Sequence, residues 1–241
     1  MYKKLLCAVI AAVLILSCVP TAFAESFDLS NPAQVAAYVQ RQSPGRMSVG
    51  PAVLTRDGKS EAVYLITLVG TGWTLTHYNN PIAYLCSTVS VSTSYLRAAR
   101  RAAVDNIPAG SKVLIAGHSL GGTTAQQLAA DKTMRDRFEI VNTLACGSPY
   151  VAVAKREGSL HRVAYTNDPI PTVSTNFLFN VTTHVSFENS LRPFDPYHTH
   201  SIGYMDEAPW LGYDAFGVKG GNAVITVNNS AAAGYNLEFG T

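Results

Sequence analysis

Lys112-Val113-Leu114-Ile115-Ala116-Gly117-His118-Ser119-Leu120-Gly121-Gly122 is the stretch on which the reading of this chain turns. Lys112 to Ala116 is a short, mostly apolar run of the kind that forms a buried strand, and Thr123 to Ala130, rich in Ala and Leu, reads as a helix. A serine sits in the tight turn between them, with a glycine two residues before it and another two residues after. Without a Cβ at those two positions, strand and helix backbones can approach closely, and the serine hydroxyl projects from the end of the sheet. Amides that open the helix, that of Leu120 first, then face a spot where a carbonyl oxygen would acquire negative charge.

The flanking sequence repeats the strand–helix alternation. Asn31-Pro32, followed by Val35, Ala36, Tyr38 and Val39, reads as a capped helix, and Met47 to Leu54 and Ala62 to Val69 read as strands. Residues 91–106 place Tyr95, Ala98, Ala99, Ala102 and Ala103 on one helical face, with Arg97, Arg100 and Arg101 mostly opposite. Phe138 to Cys146 and Arg162 to Tyr165 supply further apolar strands. This order predicts an α/β fold, with a mainly parallel central sheet and helices on both faces. Near the end, Ala223–Val227 and Tyr235–Phe239 flank a Gly/Asn/Ser/Ala stretch and predict a hairpin added at the sheet edge.

Residues 1–24 are set apart. Lys3 and Lys4 precede Leu5 to Val19, in which Ser17 is the one polar residue, and Ala22-Phe23-Ala24 ends the stretch with small residues. That is a secretory signal pattern, too short in its apolar core for a comfortable bilayer span. It predicts a secreted chain whose mature part, 25–241, is a single domain. Ile15-Leu16-Ser17-Cys18 offers an alternative, a lipid anchor at Cys18, which fits less well than the later Ala-x-Ala. The 18 Lys and Arg against 16 Asp and Glu become equal once Lys3 and Lys4 are lost. A neutral domain has no electrostatic attraction for nucleic acid or anionic membrane, so contact with lipid would be apolar and transient. Cys86 and Cys146 alone survive in the mature part, which excludes a disulfide scaffold; two buried thiols is the plainer reading, with one bridge as the alternative.

A serine hydroxyl is a weak nucleophile at neutral pH and needs an imidazole within reach, itself held by a carboxylate. Of six histidines, His118 is turned away from its neighbour's hydroxyl and reads as a hydrogen-bonding support under the turn. His161 leads a strand and His184 sits in an apparent hairpin. His198 and His200 lie in a Pro/Tyr/His-rich loop beyond the core strands, where a base is expected. Asn167-Asp168-Pro169-Ile170-Pro171 follows the strand at 162–165, at the sheet rim where Ser119 also lies. Asp168 is therefore the candidate acid, with Asp195, Asp206 and Glu188 in reserve. No metal or organic cofactor is called for; Asp195, His198 and His200 lack helical ligand spacing.

These motifs resemble those of the class 3 lipase family, the fungal-lipase-like branch of the α/β-hydrolases, over most of residues 60–205. Gly117-His118-Ser119-Leu120-Gly121-Gly122 matches the family's elbow. Leu68-Val69-Gly70-Thr71 is similar to its Arg-Gly-Thr strand end, Thr143 to Pro149 to its Thr-Phe-Gly-x-Pro segment, and Asn167 to Pro171 to its acid motif. The resemblance implies the α/β-hydrolase fold, a Ser119–Asp168–His200 triad, and an oxyanion hole from the amides of Thr71 and Leu120. It also implies a lipid or other ester substrate, with Gly72 to Cys86 in the place of a lid. Val69 stands where the family commonly has Arg, and His200-Ser201-Ile202-Gly203-Tyr204 only approximates the family's His followed by Tyr, which keeps His198 as the second choice of base. Lipase action on acylglycerols is the leading expectation. Esterase, phospholipase or acyltransferase activity, or an inactive lipid-binding module, are the alternatives.

Overall fold

The computed structural model describes residues 26–41, 47–70, 95–151, 155–172 and 183–235. The leader stretch 1–24, Thr71, the Gly72 to Cys86 stretch and residues 91–94 of the arginine-rich helix lie outside the described residues. The described strands form one sheet of nine, in the order β1-β8-β2-β3-β4-β5-β6-β7, with β9 also on β2. β1 is Ser26–Leu29, β2 Met47–Arg56, β3 Lys59–Leu68, β4 Lys112–His118 and β5 Glu139–Cys146. β6 is Ser159–Tyr165, β7 Val185–Glu188, β8 Val224–Asn228 and β9 Ala233–Tyr235.

The sheet is mixed, and its two halves differ. From β3 through β7 every pairing is parallel, as expected of strands separated by helices. The other half is antiparallel. β2 and β3 are joined by Asp57 and Gly58, both at positive φ (53° and 71°), the backbone that a two-residue hairpin turn requires. The parallel expectation thus describes the half that carries the site.

Of the expected C-terminal hairpin, residues 236–239 lie outside the described residues; the strands described on either side of the intervening turn are β8 and β9. β8 and β9 do not pair with each other; both lie antiparallel to β2, at Ala52–Thr55 and at Met47–Val49. Asn228 explains the course of the chain: its side chain accepts from the Ser230 amide and hydroxyl (3.2 and 2.8 Å). One 3-10 turn follows instead of a reversal. The interruption lies opposite Gly50 and Pro51, where the proline has no N–H to give a ladder. Nor is β8 an edge strand, because β1 pairs along its other side.

Helices cover both faces because the buried strands alternate. Leu114, Ala116 and Leu144 pack with Val35, Ala36 and Val39 of α1 (Pro32–Arg41). Asn31 caps that helix by accepting the Gln34 amide at 3.0 Å. Val113, Ile115 and Ile140 face the other way, onto Tyr95, Ala99 and Ala103 of α2 (95–106) and Ala125 and Leu128 of α3 (Leu120–Leu128). The short α4 (Lys132–Arg137) adds Met134 to this layer. Parallel register brings the carboxyl ends together: Leu68 lies beside Gly117, His118 beside Cys146, and Cys146 beside Val163. Residues that follow β3, β4, β5 and β6 therefore share one rim.

Candidate active site

Ser119 is the single residue between β4 and α3. It has φ 54° and ψ −121°, a strained backbone for a side chain with a Cβ. Its amide donates to the Cys146 carbonyl at 2.9 Å, and its own carbonyl accepts the Thr123 amide at 3.1 Å. The crossing is tight: a Cβ on Gly121 would fall 2.0 Å from the Leu68 carbonyl oxygen, so no other residue fits there without moving backbone. The Leu120 amide opens α3, in the turn whose N–H groups have no intrahelical acceptor. Thr71, the other expected oxyanion donor, lies outside the described residues. Gly70, just before it, is packed against Ser119, since a Cβ there would be 2.8 Å from the serine Cβ.

His200 arrives from α5 (Pro196–Ser201). Asp195 caps this helix by accepting the His198 amide at 2.9 Å, and Pro196 begins it. The His200 Nε2 lies 3.0 Å from Ser119 Oγ, and its Nδ1 lies 2.8 Å from Asp168 Oδ2. A carboxylate only accepts, so Nδ1 carries the proton and Nε2 presents a lone pair to the serine hydroxyl. Asp168 follows β6. Its amide donates to the Tyr165 carbonyl at 3.1 Å, and its Oδ1 accepts the Ile170 amide at 3.0 Å. Ser119 and His200 are wholly buried and Asp168 is 1% exposed, so the charge of this group is felt in a medium that screens poorly.

The structure thus brings Ser119, His200 and Asp168 together and leaves the other candidates elsewhere. His198 is engaged through its backbone in the α5 cap. Asp195 is that cap. Glu188 accepts the Tyr213 hydroxyl at 2.7 Å and Lys219 Nζ at 3.2 Å. Asp206 ends the Gly203–Met205 turn.

His118 holds the backbone of His200. Its Nε2 lies 2.8 Å from the His200 carbonyl oxygen, and a carbonyl accepts, so that nitrogen bears hydrogen. Burial first, and then the neighbouring His200 ring, push its pKa down to about 3, which keeps this donor neutral and its tautomer fixed. Cys146 is a buried free thiol whose pKa burial pushes up to about 12. Cys86 lies outside the described residues.

A side-chain partner of Asp168, and the residues that hold it, were not assigned that place by sequence reasoning. The Tyr204 hydroxyl donates to Asp168 Oδ2 at 2.8 Å and accepts the Tyr165 amide at 3.1 Å. The Tyr165 hydroxyl donates to the Gly203 carbonyl at 2.9 Å and accepts Trp210 Nε1 at 2.8 Å. Tyr204 was visible only as part of a His-then-Tyr pattern; nothing local marks Tyr165 or Trp210 as its support.

Among the described residues, His, Cys, Asp and Glu form no group of three or more able to hold a metal ion. A cavity of about 330 Å³ between α1, β1 and the Gly203–Met205 turn is lined by Phe27, Tyr38, Arg41 and Met205, and includes none of the three site residues. Among known proteins, a family model described as Lipase (class 3) matches residues 73–178, a span that contains Ser119 and Asp168 and ends before His200. The α/β-hydrolase fold of that family agrees with the nine-stranded sheet and its two helical layers. No curated protein and no solved structure matches the chain.

Proposed function

We propose, from the premise that this chain belongs to the class 3 lipase family through residues 73–178, that it cleaves acylglycerol esters with Ser119 as nucleophile, His200 as base and Asp168 as orienting acid. Family membership itself makes the chain a lipase-type ester hydrolase with a lipid or ester substrate. The residue roles rest on one observation above all, the unbroken line from Ser119 Oγ to His200 (3.0 Å) to Asp168 (2.8 Å) at the strand rim.

In this reading His200 Nε2 takes the hydroxyl proton as Ser119 Oγ bonds to the ester carbon. The negative charge that builds on the carbonyl oxygen is met by the Leu120 amide and by that of Thr71. Imidazolium formed on His200 is balanced by Asp168 through Nδ1–H. Collapse of the intermediate breaks the ester C–O bond, and His200 returns its proton to the departing alcohol. Water, activated by the same imidazole, then attacks the acyl-enzyme and releases the fatty acid. Secretion of residues 25–241 after removal of 1–24 completes the proposal, supported by the basic–apolar–small pattern of that stretch.

A fluorophosphonate probe and a chain-length series of nitrophenyl esters, run beside emulsified triglyceride and a phospholipid, test this. Labelling of Ser119, turnover of long-chain acylglycerol, and loss of nearly all turnover in a folded Ser119→Ala variant are expected. Wild-type turnover in that variant refutes the nucleophile, and an unlabelled serine points to a binding module. Product partitioning to an added alcohol in preference to water identifies an acyltransferase.

A further inference from the structure

Arg162 lies inside β6 with 1% of its surface exposed, and it does nothing in the reaction just described. Its Nη2 donates to the carbonyls of Ser148 (2.9 Å) and Pro171 (2.7 Å), and its Nη1 to that of Thr183 (3.2 Å). These carbonyls belong to three different segments: after β5, after β6 and before β7. An apolar side chain would fill the same space without a charge to desolvate. It could not hold three backbones at set separations, which a planar guanidinium with several fixed donors does.

Two of those segments lead to the site. Pro171 closes the stretch that begins where the Asp168 amide meets the Tyr165 carbonyl and continues through the Ile170 amide on Asp168 Oδ1. Its near end is thus fixed by the β6 backbone and its far end by a side chain from the same strand. Ser148 belongs to a segment anchored on α3 by buried Gln126. The Gln126 Nε2 donates to Ser148 Oγ (3.1 Å) and the Pro149 carbonyl (2.8 Å), while its Oε1 accepts the Val151 amide (3.0 Å). A continuous chain of bonds therefore runs from the Asp168 loop through Arg162, Ser148 and Gln126 to the helix that opens at Ser119. We infer that Arg162 is a positioning residue that sets the separation between the acid loop and the nucleophile's helix, and so the alignment of His200 between them. The inference rests on the ester-hydrolase reading of Ser119, His200 and Asp168.

Arg162→Lys and Arg162→Gln test it, each checked for native near-UV circular dichroism and assayed well below its melting temperature. A lysine ammonium has no rigid fork and cannot hold all three carbonyls in the same geometry. In folded Arg162→Lys, kcat falls about ten- to a hundredfold with KM within about twofold, because misplacement of order 1 Å affects the reacting step more than binding. Arg162→Gln follows in the same direction with a larger loss. A folded Arg162→Lys with wild-type kcat, and only a lower melting temperature, overturns the inference. So does failure of both variants to fold, which assigns Arg162 to the fold alone. Fluorophosphonate labelling of the wild-type chain is read beside them: an unlabelled wild type removes the underlying reading, whereas a labelled wild type with unaffected variants removes only the role of Arg162.

Discussion

Replacing Tyr204 by Phe removes one oxygen from the interior and leaves the ring, which packs 4.9 Å from the Tyr165 ring and 5.5 Å from that of His118. The lost hydroxyl has two partners. Its bond to Asp168 is charge-assisted, a class that contributes about 1.5–3 kcal/mol, and the Tyr165 amide left behind is a buried unmatched donor, costing about 1–3 kcal/mol. Because one deletion serves both and the surroundings relax, about 3 kcal/mol is the expected loss of stability. For a domain of this size that lowers Tm by about 6–12 °C. Catalysis responds differently. Asp168 keeps its contacts to His200 and to the Ile170 amide, so its position holds. The kcat therefore falls by about tenfold or less. Thermal denaturation and steady-state kinetics on Tyr204→Phe measure both. A variant with unchanged Tm would refute the reasoning, for it would mean that the hydroxyl satisfies neither partner.

Two further expectations concern buried titratable groups. His118 is held neutral in the folded chain, with its pKa near 3 against an ordinary 6.5. Its contribution to stability is complete above pH 6.5 and is lost as pH falls from there towards 3, because the unfolded chain takes up a proton that the native one refuses. The slope is about 1.4 kcal/mol per pH unit, so about 2 kcal/mol is lost between pH 6.5 and 5. Urea denaturation at those two pH values checks it, and His118→Gln, which retains an N–H donor, flattens that part of the slope. Cys146, with its thiol pushed up to about 12 and no exposed surface of note, should resist alkylation in native protein at pH 8 and react fully in denaturant. Peptide mapping of Cys146 reads this directly; rapid native modification would contradict the burial.

What was legible in the sequence and what was not follow from the range of the forces involved. The β4–Ser119–α3 turn could be read because its determinants lie within eleven consecutive residues: an apolar strand, two glycines and a helix. The approximate places of Asp168 and His200 followed because chain order and the strand rim limit where an acid and a base can stand. The family resemblance puts His200 ahead of His198 as base, whereas the short capped α5 that carries His200 to Ser119 is not legible in a Pro/Tyr/His run that reads as a loop. Tyr204, Tyr165 and Trp210 bond across 38, 39 and 45 residues of sequence, and no local pattern distinguishes them from ordinary core aromatics. The path of the chain between β8 and β9 was illegible for a similar reason. Asn, Ser and Gly between two apolar runs signify a change of backbone, and whether that change reverses the chain or merely steps it along β2 is decided by the strand waiting there.

The central place of β8 has a consequence for how the molecule is assembled. Among the described residues β1 meets the sheet only through β8, so this earliest described strand waits for a described partner that lies about two hundred residues later in the chain. During translation, the parallel half with the Ser119 turn can be laid down in sequence, whereas this antiparallel border must close last, with one strand from each end of the described chain. Shortening the chain before residue 224 would leave β1 without its partner strand and uncover the buried cluster to which Ile225 and Val227 belong, a defect felt at the opposite border from the chemistry.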